Sequence, residues 1–163
     1  MTVLKIITAS LLMIASATLA AAQSAQVAFG TIQQNSGLPV EVTAENLSVD
    51  QTSGRAVFSE NVIIIQGEMR LSADEVTVIY DNAARVIAQI QAVGNVILIS
   101  GDDAAESERA DYNVDDGTIV MTGSVLVAQG PSALTADSMT VRLQDGTAQM
   151  SGRVRTVLQT GDN

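Results

Sequence analysis

From residue 38 onward, apolar and polar residues alternate with a period of two. Leu47/Val49, Val76/Val78/Tyr80, Ile119/Met121, Val125/Val127 and Met139/Val141/Leu143 occupy alternate positions, and no window sustains the recurrence of an amphipathic helix. The pattern predicts an all-β chain of about sixteen short strands of ordinary length, with almost no helix. Thr52-Ser53-Gly54, Asp81-Asn82, Asp115-Asp116-Gly117 and Asp145-Gly146 interrupt the runs with residues that tolerate the positive φ of tight hairpins. Val, Ile, Thr and Ala dominate. The two prolines, Pro39 and Pro131, lie before or between runs, where a missing N–H breaks no ladder.

The alternation is itself repeated. A small residue and an acid open each unit, and a Gly-Asn-Val-like corner leads into its second apolar run: Ala44-Glu45 to Asn61-Val62, Ala73-Asp74 to Gly94-Asn95-Val96, Ala105-Glu106 to Gly123-Ser124-Val125, and Ala136-Asp137 to Gly152-Arg153-Val154. The alanines are 29, 32 and 31 residues apart, as expected of one supersecondary unit stacking on copies of itself. Parity adds geometry. Apolar positions are odd at Leu71 and Ala73 but even at Val76, Val78 and Tyr80, and the same change separates Leu134/Ala136 from Met139/Val141/Leu143. A one-residue slip would send every later side chain to the wrong face, so each small-acid step needs a bulge that restores the inward face. Phase is kept at the glycines: Ile90, Gly94 and Val96 are even, whereas Met121, Gly123 and Val125 are odd. Two kinds of corner per unit are therefore expected, and with them two facing sheets. Glu45, Asp74, Glu106 and Asp137 read as caps for backbone N–H groups freed at the bulges.

The first unit departs from the pattern at Glu60, which replaces the corner glycine and shares the parity of Phe58 and Val62. An ionised carboxylate is costly in an apolar interior unless it is paired or at the rim. Either the first unit forms an open end with Glu60 in solvent, or its corner turns that side chain outward.

Lys5, the apolar run Ile6 to Ala20 and the small residues Ala20-Ala21-Ala22 form the pattern of an export leader cleaved after Ala22. Residues 23–37 are expected to be a flexible segment, 38–158 the β domain and 159–163 a polar tail. Removing the leader takes away the one lysine, leaving seven arginines against 18 acids and moving the net charge from −10 to −11. Such a chain repels nucleic acid and anionic membrane surfaces. With no His and no Cys, the common catalytic triads, thiol nucleophiles and tetrahedral zinc sites are excluded. Asp102-Asp103 and Asp115-Asp116 lie beside glycines and read as solvated turns; neither calcium-loop spacing nor a phosphate-cradling glycine loop is present. No catalytic residue, metal or cofactor is therefore assigned. Aromatic residues make up 2% of the chain, so the interior consists of slender aliphatics. From composition these favour a tightly closed sandwich, the alternative being a groove in which each buried acyl CH₂ contributes about 0.8 kcal/mol.

The stretches LPVEVTAENLSVDQTSGRAVFSENVIIIQGEMRLSADEVTVIY (Leu38 to Tyr80) and GTIVMTGSVLVAQGPSALTADSMTV (Gly117 to Val141) resemble the LptA/OstA-like family of lipopolysaccharide-transport proteins. The likeness extends over residues 38–158. It implies a bent antiparallel β-jellyroll in the periplasm, whose apolar interior shelters lipid A acyl chains between an inner-membrane extractor and an outer-membrane translocon. It also implies end-to-end association, with itself and with partners of similar fold, and no catalysis. Under this resemblance Val42, Leu47, Phe58, Ile64, Val78, Ile90, Leu98, Met121, Val127, Val141 and Met150 line one groove. A structural, self-assembling β-solenoid-like scaffold without lipid cargo is the alternative, suggested by apolar residues on both faces of Ile63-Ile64-Ile65 and Ile97-Leu98-Ile99. An acid-dependent enzyme acting on exported glycans fits least well.

Overall fold

The structure, a computed structural model, describes residues 25–30, 38–81, 83 and 86–157. The expected leader with its cleavage point, and the tail 159–163, lie outside the described residues. Among the described residues there are eleven strands: β1 (Ala25–Ala28), β2 (Glu41–Thr43), β3 (Asn46–Asp50), β4 (Arg55–Gln66), β5 (Met69–Asp81), β6 (Val86–Ser100), β7 (Asp103–Asn113), β8 (Thr118–Gln129), β9 (Ser132–Arg142), β10 (Thr147–Ser151) and β11 (Arg155–Val157). All pairings are antiparallel within one sheet, ordered β1-β10-β9-β8-β7-β6-β5-β4-β2, with β3 also on β4 and β11 also on β9. No helix occurs among the described residues.

The strands are fewer than the expected sixteen or so because β4 to β9 run 11 to 15 residues straight through their corners. Pairing shifts register at each corner without ending the ladder. Between β5 and β6, Ser72 pairs with Ile97 and Glu75 with Val93, so Ala73-Asp74 face the three residues Gly94-Asn95-Val96. The extra residue is a bulge on the glycine strand. The small-acid step and the Gly-Asn-Val corner, expected as separate features, are thus the two sides of one corner. These corners line up across the whole sheet through Glu45, Glu60-Asn61, Asp74, Gly94-Asn95, Glu108, Gly123-Ser124, Asp137 and Gly152-Arg153. Parity is as read: burial switches phase from Leu71/Ala73 to Val76/Val78, and is held from Ala92 to Val96 and Leu98.

In the third unit the corner acid is Glu108. Glu106 sits in regular ladder opposite Leu126, and the register breaks only between Glu106 and Arg109. Ala105-Glu106 imitates the small-acid pair two residues early, whereas the true pair, Ser107-Glu108, has Ser in the small position. With Glu108 in place the acids are 29, 34 and 29 residues apart.

Each corner is made by two successive residues in the left-handed region: Glu60 and Asn61 (φ 66° and 54°), Gly94 and Asn95 (79° and 46°), Gly123 and Ser124 (86° and 50°), and Gly152 and Arg153 (76° and 42°). Glycine at the first position answers to space as well as torsion. A Cβ on Gly94 would lie 2.5 Å from Asp74 Oδ2, and one on Gly152 would lie 2.5 Å from Asp137 Oδ2. The acids do not cap backbone N–H groups as expected. Three of the four corner acids accept from side chains across the corner: Asn61 Nδ2 donates to Glu45 Oε1 at 2.7 Å, Asn95 Nδ2 to Asp74 Oδ2 at 2.8 Å, and Arg153 Nη2 to Asp137 Oδ1 at 2.6 Å. Glu60 is exposed, with its charge in solvent.

The corner line divides the sheet into two leaves. β2 and β11 extend the first leaf; β1, β3 and β10 extend the second. One face of each leaf carries residues with almost no exposure, such as Leu98 and Val127 on the first and Met121 and Val141 on the second. A single sheet can hide a face so completely only when the opposite leaf covers it. Opposite the corner line is a mouth between the leaf ends, crossed by the bond from Tyr112 of the second leaf to Gln66 of the first. Tyr112 Oη donates to Gln66 Oε1 at 3.2 Å, and Gln66 Nε2 donates to Leu38 O at 2.9 Å. Residues 25–30, expected within a flexible segment ahead of the domain, instead supply β1 and a buried Phe29.

Candidate functional site

Three ladders of directly opposed side chains run through the interior. In the second leaf, one runs Leu47, Phe58, Val76, Ala92, Ala110, Met121, Met139, Met150, Ala25, and the next runs Val49, Ala56, Val78, Ile90, Tyr112, Ile119, Val141, Ala148, Val27. In the first leaf, Val42, Ile64, Leu71, Leu98, Ala105, Val127 and Leu134 follow one another and end at Thr156. All eleven candidate residues fall in these ladders. At an inter-strand spacing of about 4.8 Å, nine strands span about 38 Å. The apolar path therefore crosses the entire sheet.

Exposure varies systematically along it. Ile64, Val78, Ile90, Leu98, Met121, Val127, Val141 and Met150 are buried, while Val42 and Phe58 are half-buried against the same core. Leu47 and Val49 are 58% and 61% exposed, because β3 is the edge of its leaf. The ladders thus stay apolar as they reach the surface at the β2–β3 end. In the middle the interior is filled, and three methionines, Met121, Met139 and Met150, stand side by side. Methionine's unbranched, polarizable side chain refills irregular space easily.

Charges are kept outside this interior. Buried polar residues are Gln66, Ser100 and Ser107; the Ser107 hydroxyl donates to Arg109 O at 2.9 Å. Burial pushes the Tyr112 phenol above its usual pKa, and the bond to Gln66 partly opposes that. Arg109 pairs with Asp111 at 2.7 Å, a contact that raises the pKa of the guanidinium. The Arg153 guanidinium holds the Asp137 carboxyl below the usual carboxylate range. Among the described residues no group of three or more His, Cys, Asp or Glu is placed to hold a metal. Shallow clefts of about 260 Å³ open beside the corners at Asp74/Asn95 and Glu108/Ser124. Their floors are set by the corner geometry itself.

Two features were missed by sequence reasoning. Phe29 is fully buried in the shared core, and the one signal for it was a lone aromatic residue followed by glycine. Asp103, taken for a solvated turn acid, accepts bonds from Gly30 N at 2.8 Å and Gln129 Nε2 at 2.9 Å.

A family model described as LptA/(LptD N-terminal domain) LPS transport protein matches residues 41–154. An uncharacterized protein of Rhizobium meliloti (strain 1021), R00383, is 28% identical over 116 residues, which is 67% of this chain and 61% of that protein. The chain therefore spans about three fifths of that relative's length. A solved structure of LptH from Pseudomonas aeruginosa, described as the LptA homologous periplasmic component of the conserved lipopolysaccharide transport device, matches with a TM-score of 0.69. It covers 77% of this chain and 99% of its own at 18% identity, a likeness of fold. The matched residues run from β2 to the last corner, and the chain belongs to the family of LptA and the LptD N-terminal domain, whose members are lipopolysaccharide-transport proteins.

Proposed function

We infer that this chain is a periplasmic lipopolysaccharide-transport protein whose folded sheet shelters lipid A acyl chains and bridges the inner and outer membranes. The observation carrying this reading is the set of aliphatic ladders that cross the whole sheet and emerge uncapped at the β2–β3 edge, where Leu47 and Val49 are exposed. A core that served only stability would be expected to end in polar or charged groups at a sheet edge. Val42, Leu47, Phe58, Ile64, Val78, Ile90, Leu98, Met121, Val127, Val141 and Met150 are the residues expected to meet the acyl chains. Their contribution is non-directional burial of CH₂ groups, and the clustered methionines suit chains of varying length and number. The acidic exterior offers an anionic headgroup no attraction, so affinity rests on the acyl chains and changes little with salt. Open strand edges at the two ends of the sheet suit head-to-tail addition of further copies and of partner domains with the same fold at either membrane.

One observation favours the scaffold reading: in this conformation the middle of the interior is already filled by its own side chains. Mass spectrometry of the protein purified from the export compartment separates the two. Co-purified acylated glycolipid is expected from the transport reading. Lipid-free protein that forms filaments would establish the scaffold.

A further inference from the structure

Residues 25–30 run along the edge of the second leaf as β1 and then cross the mouth at Phe29-Gly30 as a strap. β1 pairs with β10 over four residues, and it ends the strand order, so its other edge is open. Phe29 is fully buried, with its N–H donating to Gly146 O in the second leaf at 3.2 Å. One residue later the chain is held by the first leaf, where Gly30 N–H donates to Asp103 Oδ2 at 2.8 Å. Gln129 Nε2 completes the clasp, donating to Ala28 O at 2.7 Å and to Asp103 Oδ2 at 2.9 Å. Beneath the strap, Ser100 is fully buried and its hydroxyl has no partner. Gly30 presses so closely on Ser100 that a Cβ at position 30 would collide with it.

We propose that residues 25–30 form a latch over the interior, with Phe29 occupying volume that an acyl chain takes when the strap lifts. The inference rests on the acyl-binding reading above. The strap is held by a four-residue edge pairing, one aromatic side chain and a few polar bonds, which places it among the least stable parts of the sheet. Water replaces the polar bonds when the strap lifts, and it can also reach the Ser100 hydroxyl that closure leaves unpaired. Water cannot replace Phe29 on equal terms. The apolar space it vacates is filled favourably by a hydrocarbon chain, so ligand and latch compete for one volume. The Asp103–Gln129 clasp fixes the closed register.

The chain contains no cysteine, which makes a reversible lock possible. Gln26 and Gln149 oppose each other in the β1–β10 ladder, one position out of phase with the apolar pair Val27 and Ala148. In the purified chain carrying Gln26→Cys and Gln149→Cys, capture of a diazirine-bearing myristic acid is expected to fall about tenfold on oxidation and to recover on reduction. Asp103→Asn with Gln129→Ala loosens the clasp without altering the core and is expected to raise capture about threefold, as is Phe29→Ala. Capture by the loosened variant alone would also support the latch, as one firmly closed in the parent. Equal capture by oxidised, reduced and parent proteins would overturn the latch and leave the acyl-binding reading intact. No capture by the parent or by the loosened variant would overturn both.

Discussion

Two consecutive left-handed residues are an expensive way to turn a strand unless the first is glycine, and this chain supplies both the rule and its exception. Gly94 at φ 79° has a carboxylate oxygen 2.5 Å from where a Cβ would stand. Gly94→Ala is therefore expected to cost about 2 kcal/mol or more, from torsional strain plus displacement of Asp74. Glu60 adopts the same conformation at φ 66° with its side chain in solvent, so Glu60→Gly is expected to stabilise by about 1 kcal/mol. Chemical denaturation of the two variants tests the pair; a stabilised Gly94→Ala or a destabilised Glu60→Gly would refute this account of the corner. Glycine, small residue and acid were legible one by one in the sequence. Their partnership was not, because the bond from Asn95 to Asp74 joins residues 21 apart, and alternation along one strand does not say which residue faces it on the next. The same blindness let Ala105-Glu106 stand in for Ser107-Glu108.

At the scale of elements, parity was the informative signal. It located the phase changes at Ala73-Asp74 and Ala136-Asp137 and the kept phase at Gly94 and Gly123, whereas in the third unit the acid was placed by motif alone and two residues early. It could not show that strands pass through the corners unbroken, since a bulge and a strand end leave the same mark in a hydropathy pattern. Nor could it find β1, whose four residues, Ala25–Ala28, carry too short an alternation to stand out. The elements also differ in what they can tolerate. Leu47 and Val49 on β3 are exposed, so aspartate at both is expected to change stability by no more than about 0.5 kcal/mol each while lowering lipopolysaccharide capture several-fold. Leu98 is fully buried on β6, and aspartate there should unfold the protein. Unchanged capture by the folded β3 variant would remove the exposed edge from the lipid path.

For the whole molecule, one sheet bent along one line yields an interior without a separate second sheet, and the aliphatic composition decides how adaptable it is. With 2% aromatic residues the core has few large rigid side chains to fix its shape. The all-β class and most of the inward residues could be read from the chain alone. Whether the interior is open or filled could not, because a closed sandwich and a groove share the same alternation. The central claim is that lipid A acyl chains travel between the leaves, and adjacent residues on opposite faces of β8 test it most directly. Val127 is fully buried and faces the interior; Leu126 is 37% exposed and faces out. With a photocrosslinking residue at each position in turn, lipopolysaccharide should be captured at Val127 and, in the same way, at Leu98, but not at Leu126. Capture at Leu126 with none at Val127 and Leu98 would contradict the account.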